Sequence, residues 1–263
     1  MSRDEETWTP QSKADWVELG NGAMSFNDYQ TALFAYDQAI NLDPDDAVLH
    51  FHKGNALGSL QQYAEAVAEF QHSIRLNPDN AAAYNSLGLA LQKWNPQQYT
   101  QEALEAYQKA ISIDSAYAKA YWNMGNLLAE LGRNEDALAA YNEAIRLDPN
   151  YTFAYYNKAN LLKKLGRHEE ALIAYNETIR LNPKYANAYN NKANLLRELA
   201  RYEDALATYD EAIRLDPQNV NALYSKAELL ELLGRQDEAN GAYYVAEAVQ
   251  ASLYRNARAK GTI

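Results

Sequence analysis

Asparagines recur in pairs three residues apart, Asn123 with Asn126, Asn157 with Asn160 and Asn191 with Asn194, inside the words NMGNLL, NKANLL and NKANLL. A carboxamide offers both a donor and an acceptor, the combination needed to hold the main chain of an extended peptide. A spacing of three puts both members on one helix face. Asparagine costs about 0.5 kcal/mol relative to alanine in a helix interior, so its repeated use there implies a return. Other chemistry is scarce. The absence of cysteine removes disulfides, thiolate nucleophiles and cysteine-based zinc sites. His50 and His52 lie two apart and point to different sides of a helix, while His72 and His168 stand alone, so no metal centre is expected. Seven of the eleven glycines fill recurring slots, which leaves no phosphate-cradling loop. Neither a catalytic residue nor a cofactor is expected, and the chain reads as a non-enzyme.

The elements that carry the asparagines repeat. Blocks open at Lys13, Ala47, Ala81, Ala118, Thr152, Ala186 and Val220. Place 4 of a block is mostly aromatic (Trp16, Tyr84, Tyr121, Tyr155, Tyr189), with His50 and Leu223 as exceptions. Place 8 is always small: Gly20, Gly54, Gly88, Gly125, Ala159, Ala193, Ala227. An alanine followed four residues later by an aromatic recurs throughout, from Ala32/Tyr36 to Ala239/Tyr243, and accounts for much of a tyrosine count of 21. Places 4, 7, 8 and 11 have helical spacing, and a turn such as Leu131-Gly132-Arg133 follows, with glycine suited to a left-handed residue. A second helix opens with acids and ends with Arg146, Arg180 or Arg214, an order that suits the helix dipole, before Pro149, Pro183 or Pro217 stops it. One such hairpin cannot bury its own apolar stripe, so the blocks must stack.

These residues resemble the tetratricopeptide repeat, most plainly at Trp16-x2-Leu19-Gly20, Ala32-x3-Tyr36 and Pro44. The resemblance implies an all-α fold, a right-handed superhelix whose concave face is lined by the first helix of each repeat, and a role in holding other proteins. The expected organisation is a tail over 1–12, seven repeats over 13–249 (13–46, 47–80, 81–117, 118–151, 152–185, 186–219, 220–249), and a C-terminal helix extension that caps the solenoid over 250–263. Trp8 is the expected anchor of the tail. Repeat three is three residues longer than the others, with the extra residues in its inter-helix turn around Lys93 to Tyr99, where Trp94 and Tyr99 are either a tolerated insertion or a contact.

Places 2, 5, 6, 9, 12 and 13 of each first helix are expected to face the groove. Place 6 reads Asn123, Asn157 and Asn191 in repeats four to six, place 9 reads Asn126, Asn160 and Asn194, and Asn187 and Asn190 thicken the file. Place 9 has two readings, a bond that stiffens the stack or a contact with a ligand. The place-6 file is similar to the asparagine ladder of O-linked N-acetylglucosamine transferases, at Asn123, Asn157 and Asn191 only. Around it Lys93, Lys119, Lys163, Lys164 and Arg197 form a basic strip beside Glu130 and Glu198, with Trp122, Phe153, Tyr156 and Tyr224 as apolar footholds. Lys53, Lys158, Lys192 and Lys226 at place 7 are expected to lay their stems along the packed surface. The resemblance does not extend to the repeat domains that clamp the C-terminus of heat-shock chaperones, since only Asn21 matches their pattern.

The expected partner is therefore an extended, acidic protein segment with apolar anchors, bound over repeats three to six. A net charge of −11 argues against nucleic acid and anionic membranes. The first residues lack an apolar run of signal length, and no 18-residue apolar stretch occurs, so a cytoplasmic protein without membrane insertion is expected. Two other functions remain open: an accessory subunit of a separate enzyme such as a glycosyltransferase, and a structural subunit that self-associates through its end repeats into a homo-oligomer.

Overall fold

The computed structural model describes residues 10–259, so the expected anchor Trp8 and the last basic residue, Lys260, lie outside the described residues. The chain divides into two compact units, one ending at Leu147 and one starting at Asp148. Every element among the described residues is an α-helix.

The first unit contains α1 (Lys13–Ser25), α2 (Tyr29–Leu42), α3 (Ala47–Ser59), α4 (Tyr63–Leu76), α5 (Ala81–Trp94), α6 (Thr100–Ile113), α7 (Ala118–Glu130) and α8 (Asn134–Leu147). Consecutive helices pair into four hairpins, and each hairpin packs on the next. Ser12 starts α1 with a capping box, its hydroxyl accepting from the Asp15 amide while the Asp15 carboxylate accepts from the Ser12 amide. Asp28, Asp46 and Asn80 likewise cap α2, α3 and α5. Place 8 is glycine in all four hairpins because the aromatic of the second helix lies against the backbone there. A Cβ on Gly20 would fall 2.6 Å from the ring of Tyr36, and one on Gly125 2.7 Å from that of Tyr141. The insertion of repeat three forms the turn between α5 and α6, with Trp94 closing α5 and stacked on Tyr99 at 4.6 Å between ring centroids.

The second unit contains α9 (Thr152–Lys164), α10 (His168–Leu181), α11 (Ala186–Glu198), α12 (Tyr202–Leu215), α13 (Val220–Leu232) and α14 (Gln236–Ala259), again paired in order. Its place-8 residues, Ala159, Ala193 and Ala227, are wholly buried. Gly166 closes α9 at φ 73°, a left-handed conformation that carries no penalty for glycine, whereas Ala200 holds φ 56° in the equivalent turn after α11. The final helix runs unbroken for 24 residues. Where α12 buries Leu206 and partly buries Ile213, α14 presents exposed Asn240 and Glu247, with Tyr244 exposed between them.

Candidate functional site

Four of the place-9 asparagines are bound into the protein by a couple that recurs at constant spacing. In repeat one the hydroxyl of Tyr36 donates to Oδ1 of Asn21 at 2.8 Å. Tyr141 does the same to Asn126 at 2.9 Å, Tyr175 to Asn160 at 2.7 Å and Tyr209 to Asn194 at 2.5 Å, each across fifteen residues. Each donor is the aromatic that packs at place 8, so the contact that forces a small residue there also delivers a hydroxyl to place 9. Burial pushes the Tyr141, Tyr175 and Tyr209 hydroxyls up in pKa, which keeps them protonated and donating. Of the two readings of place 9, the bond is thus real: it closes each of these repeats on itself, and at Asn160 a second bond arrives from Asn191 of the next repeat.

Place 6 differs from the expected outward file. Asn123 is 4% exposed and donates through Nδ2 to Oδ1 of Asn85, which is also buried, at 2.8 Å. Sequence spacing along α7 takes no account of α5, and the two carboxamides satisfy each other where these helices meet. In the second unit Asn191 is half-buried, and its Nδ2 lies 2.9 Å from both the Tyr156 hydroxyl and Oδ1 of Asn160, while its own Oδ1 accepts from Asn190. Asn157 is half-buried and Asn187 exposed. The oxygen of Asn160 accepts from both Tyr175 and Asn191 and that of Asn194 from Tyr209, whereas neither amide nitrogen donates a hydrogen bond among the described residues, so the nitrogens are the groups most open to a ligand.

The expected basic strip is partly neutralised. Lys163 pairs with Glu198 at 2.9 Å and Arg197 with Glu228 at 2.9 Å, each reaching from one first helix to the next. Burial works against the Arg197 charge, but the hydrogen bond to Glu228 together with the charges of Glu228 and Glu198 and the nearby Tyr209 outweighs it and raises its pKa. Gln92 makes the analogous bridge to Glu130 at 2.7 Å in the first unit. Lys93, Lys119 and Lys164 remain exposed. Among the apolar footholds, Phe153 is exposed, Trp122 is half-buried, Tyr156 packs against Tyr185 at 4.9 Å, and Tyr224 donates to Gln250.

The place-7 lysines divide into two groups, which corrects the expectation that they share one role. Lys53 bridges Asp37 and Glu69, and Lys226 binds Asp210. Lys158 and Lys192 are half-buried and form no ion pair among the described residues, and burial lowers their pKa. Spacing also gave no hint of the packing around His50. This imidazole is buried, faces Glu69 at 2.6 Å and the Pro44 carbonyl at 2.9 Å, and stacks on His72 at 4.0 Å. No group of three or more metal-ligating side chains gathers among the described residues. No described helix is long and apolar enough to cross a membrane.

Comparison with known proteins agrees with this architecture. A family model described as "TPR repeat" matches residues 20–61, 54–93, 97–132 and 125–166, and one described as "Tetratricopeptide repeat" matches 156–219 and 190–257. Small glutamine-rich tetratricopeptide repeat-containing protein 2 of Mycosarcoma maydis is 37% identical over 104 residues, which is 39% of this chain and 29% of that protein. Among solved structures, Pseudomonas aeruginosa pilF superposes with a TM-score of 0.68 at 22% identity, covering 81% of this chain and 97% of its own. YrrB, a TPR protein with an unusual peptide-binding site, gives 0.56 at 25% identity over 73% of this chain and 97% of its own. With family models matching nearly the whole described length, the chain belongs to the tetratricopeptide repeat family.

Proposed function

We propose that the chain is a non-enzymatic scaffold that holds an extended segment of another protein along its first helices. The observation that carries this reading is the state of Asn160 and Asn194. Their oxygens are fixed by Tyr175 and Tyr209, and their amide nitrogens are left to a ligand. Side chains already held in place lose little entropy when a ligand binds. A file of fixed N–H donors suits the carbonyls of an extended peptide, at about 1 kcal/mol for each bond. In the second unit Asn157, Asn187 and Asn190 extend the proposed surface, with Lys163, Tyr156 and Arg197 beside it; in the first unit Asn126 is the corresponding tied asparagine, with Lys119 and Trp122 on the same helix. The ion pairs of Lys163 and Arg197 are exposed enough to exchange for acids of a ligand at little cost. Asn123 enters this reading only as a support, since it is buried against Asn85. The likeness to YrrB supports the peptide-binding part, and family membership supports the scaffold part.

The test is capture from native extract on immobilised wild type, run beside a variant carrying Asn157→Ala, Asn187→Ala and Lys163→Ala. Circular dichroism checks that both remain helical. A partner retained by the wild type and lost by the variant is the expected result; identical partner sets would remove this face from consideration.

A further inference from the structure

The tyrosine–asparagine couple fails in two adjacent repeats, and the two failures meet in one cavity. In repeat two the aromatic is Phe70, which has no hydroxyl, and Asn55 lies the same fifteen residues before it. The ring is placed as in the complete couples: a Cβ on Gly54 would lie 2.6 Å from Phe70, as one on Gly20 would from Tyr36. The oxygen that every other place-9 asparagine has bound is therefore unbound at Asn55, and its carboxamide makes no hydrogen bond among the described residues. In repeat three place 9 is Leu89, 39% exposed, and the tyrosine of that repeat, Tyr107, donates instead to Gln92 at 3.1 Å. Asn55 and Leu89 line a cavity of about 300 Å³ between α3, α4 and α5, together with Phe70, Ser86 and Lys93. Lys93 is exposed and forms no ion pair among the described residues.

We propose that this cavity is a specificity subsite for a partner peptide, with Asn55 holding a main-chain amide, Leu89 and Phe70 seating an aliphatic side chain, and Lys93 pairing with an acidic residue beside it. The inference rests on the scaffold reading above and sharpens it. A carboxamide with neither group engaged can both donate and accept, so it holds an extended backbone by both groups, whereas the oxygen of Asn160 already accepts from Tyr175 and Asn191 and that of Asn194 from Tyr209. The apolar wall and the lysine then select side chains, as alternating pockets do in extended-peptide recognition. Repeats two and three thus read sequence, and the regular repeats hold backbone.

A phage-displayed library of random twelve-residue peptides, selected on the intact chain, supplies the probe. Selected peptides are measured against the wild type, Phe70→Tyr, Asn55→Ala and Asn160→Ala by titration calorimetry. Phe70→Tyr converts repeat two to the form that folds in its neighbours, so it gives Asn55 a hydroxyl partner without risk to the fold. The expected result is an aliphatic–acidic consensus whose affinity falls roughly tenfold with Phe70→Tyr and with Asn55→Ala, the effect of withdrawing one well-placed hydrogen-bonding group. Peptides that bind but ignore both changes overturn the subsite and leave the scaffold reading intact, the more so if Asn160→Ala weakens them. A library that yields no binder overturns both. A concentration-dependent mass abolished by Phe70→Tyr would make the occupant a second copy of the chain and overturn the partner-peptide assignment.

Discussion

The two units solve the same packing problem in different ways. In the first, all four hairpins place glycine against the aromatic ring; in the second, all three place alanine there. The second unit also keeps the tyrosine–asparagine couple in its first two repeats, at Tyr175–Asn160 and Tyr209–Asn194. Its last repeat replaces the asparagine with Glu228, which pairs with Arg197, and Tyr243 turns to Glu231 instead. The first unit keeps the couple in repeats one and four and abandons it between them. A repeat array tolerates such local changes because each hairpin contacts only its neighbours. The regular positions explain stability, and the departures are where binding can be added without dismantling the stack.

Exchanging the place-8 residues breaks this comparison most forcefully. Gly125→Ala in the first unit drives a methyl group into the Tyr141 ring and should destabilise by about 1–3 kcal/mol in denaturant titration. Ala193→Gly in the second unit only loosens the helix and should cost about 0.5–1 kcal/mol. Equal costs would mean that the two units seat their rings alike. Completing the couple in repeat two comes next. Phe70→Tyr should stabilise the first unit by about 0.5–1.5 kcal/mol, the net worth of one added hydrogen bond, read as a raised melting temperature.

A smaller effect is expected in acid. Burial pushes the Glu69 carboxyl up, but the hydrogen bonds and charges of His50 and Lys53 together outweigh this and hold its pKa below the ordinary carboxylate value of 4.5. The unfolded chain then binds the proton more tightly, so this stabilisation is complete above pH 4.5 and is lost as the pH falls through the lower folded value. Glu69→Gln should give a shallower loss of stability across that range in acid titrations followed by circular dichroism. The smallest change is expected at Ala200, where glycine relieves the left-handed backbone but gains freedom when unfolded, for a net stabilisation of under about 1 kcal/mol.

Much of the fold was legible because place 8 and the Ala-x3-aromatic pair recur through the whole chain, and each reports the same contact from one of its sides. The pairing of helices and the left-handed glycines followed from turn chemistry alone. The site was less legible. A helical stripe puts Asn123 outward, but burial there depends on Asn85, 38 residues earlier and on another first helix. The couple itself left a trace, a tyrosine fifteen residues after an asparagine, yet that spacing spans a turn and has meaning only once the hairpin is closed. Lys163 and Arg197 looked like free charge because Glu198 and Glu228 belong to the following repeats.

The central claim is that place-9 asparagines stabilise the repeats where a tyrosine holds them and not where phenylalanine stands. Asn194→Ala and Asn55→Ala, compared by equilibrium unfolding, test this directly. The account predicts a loss of about 1–3 kcal/mol for Asn194→Ala, because the buried Tyr209 hydroxyl loses its partner, and a change within about 0.5 kcal/mol for Asn55→Ala. Equal losses at the two sites would contradict it.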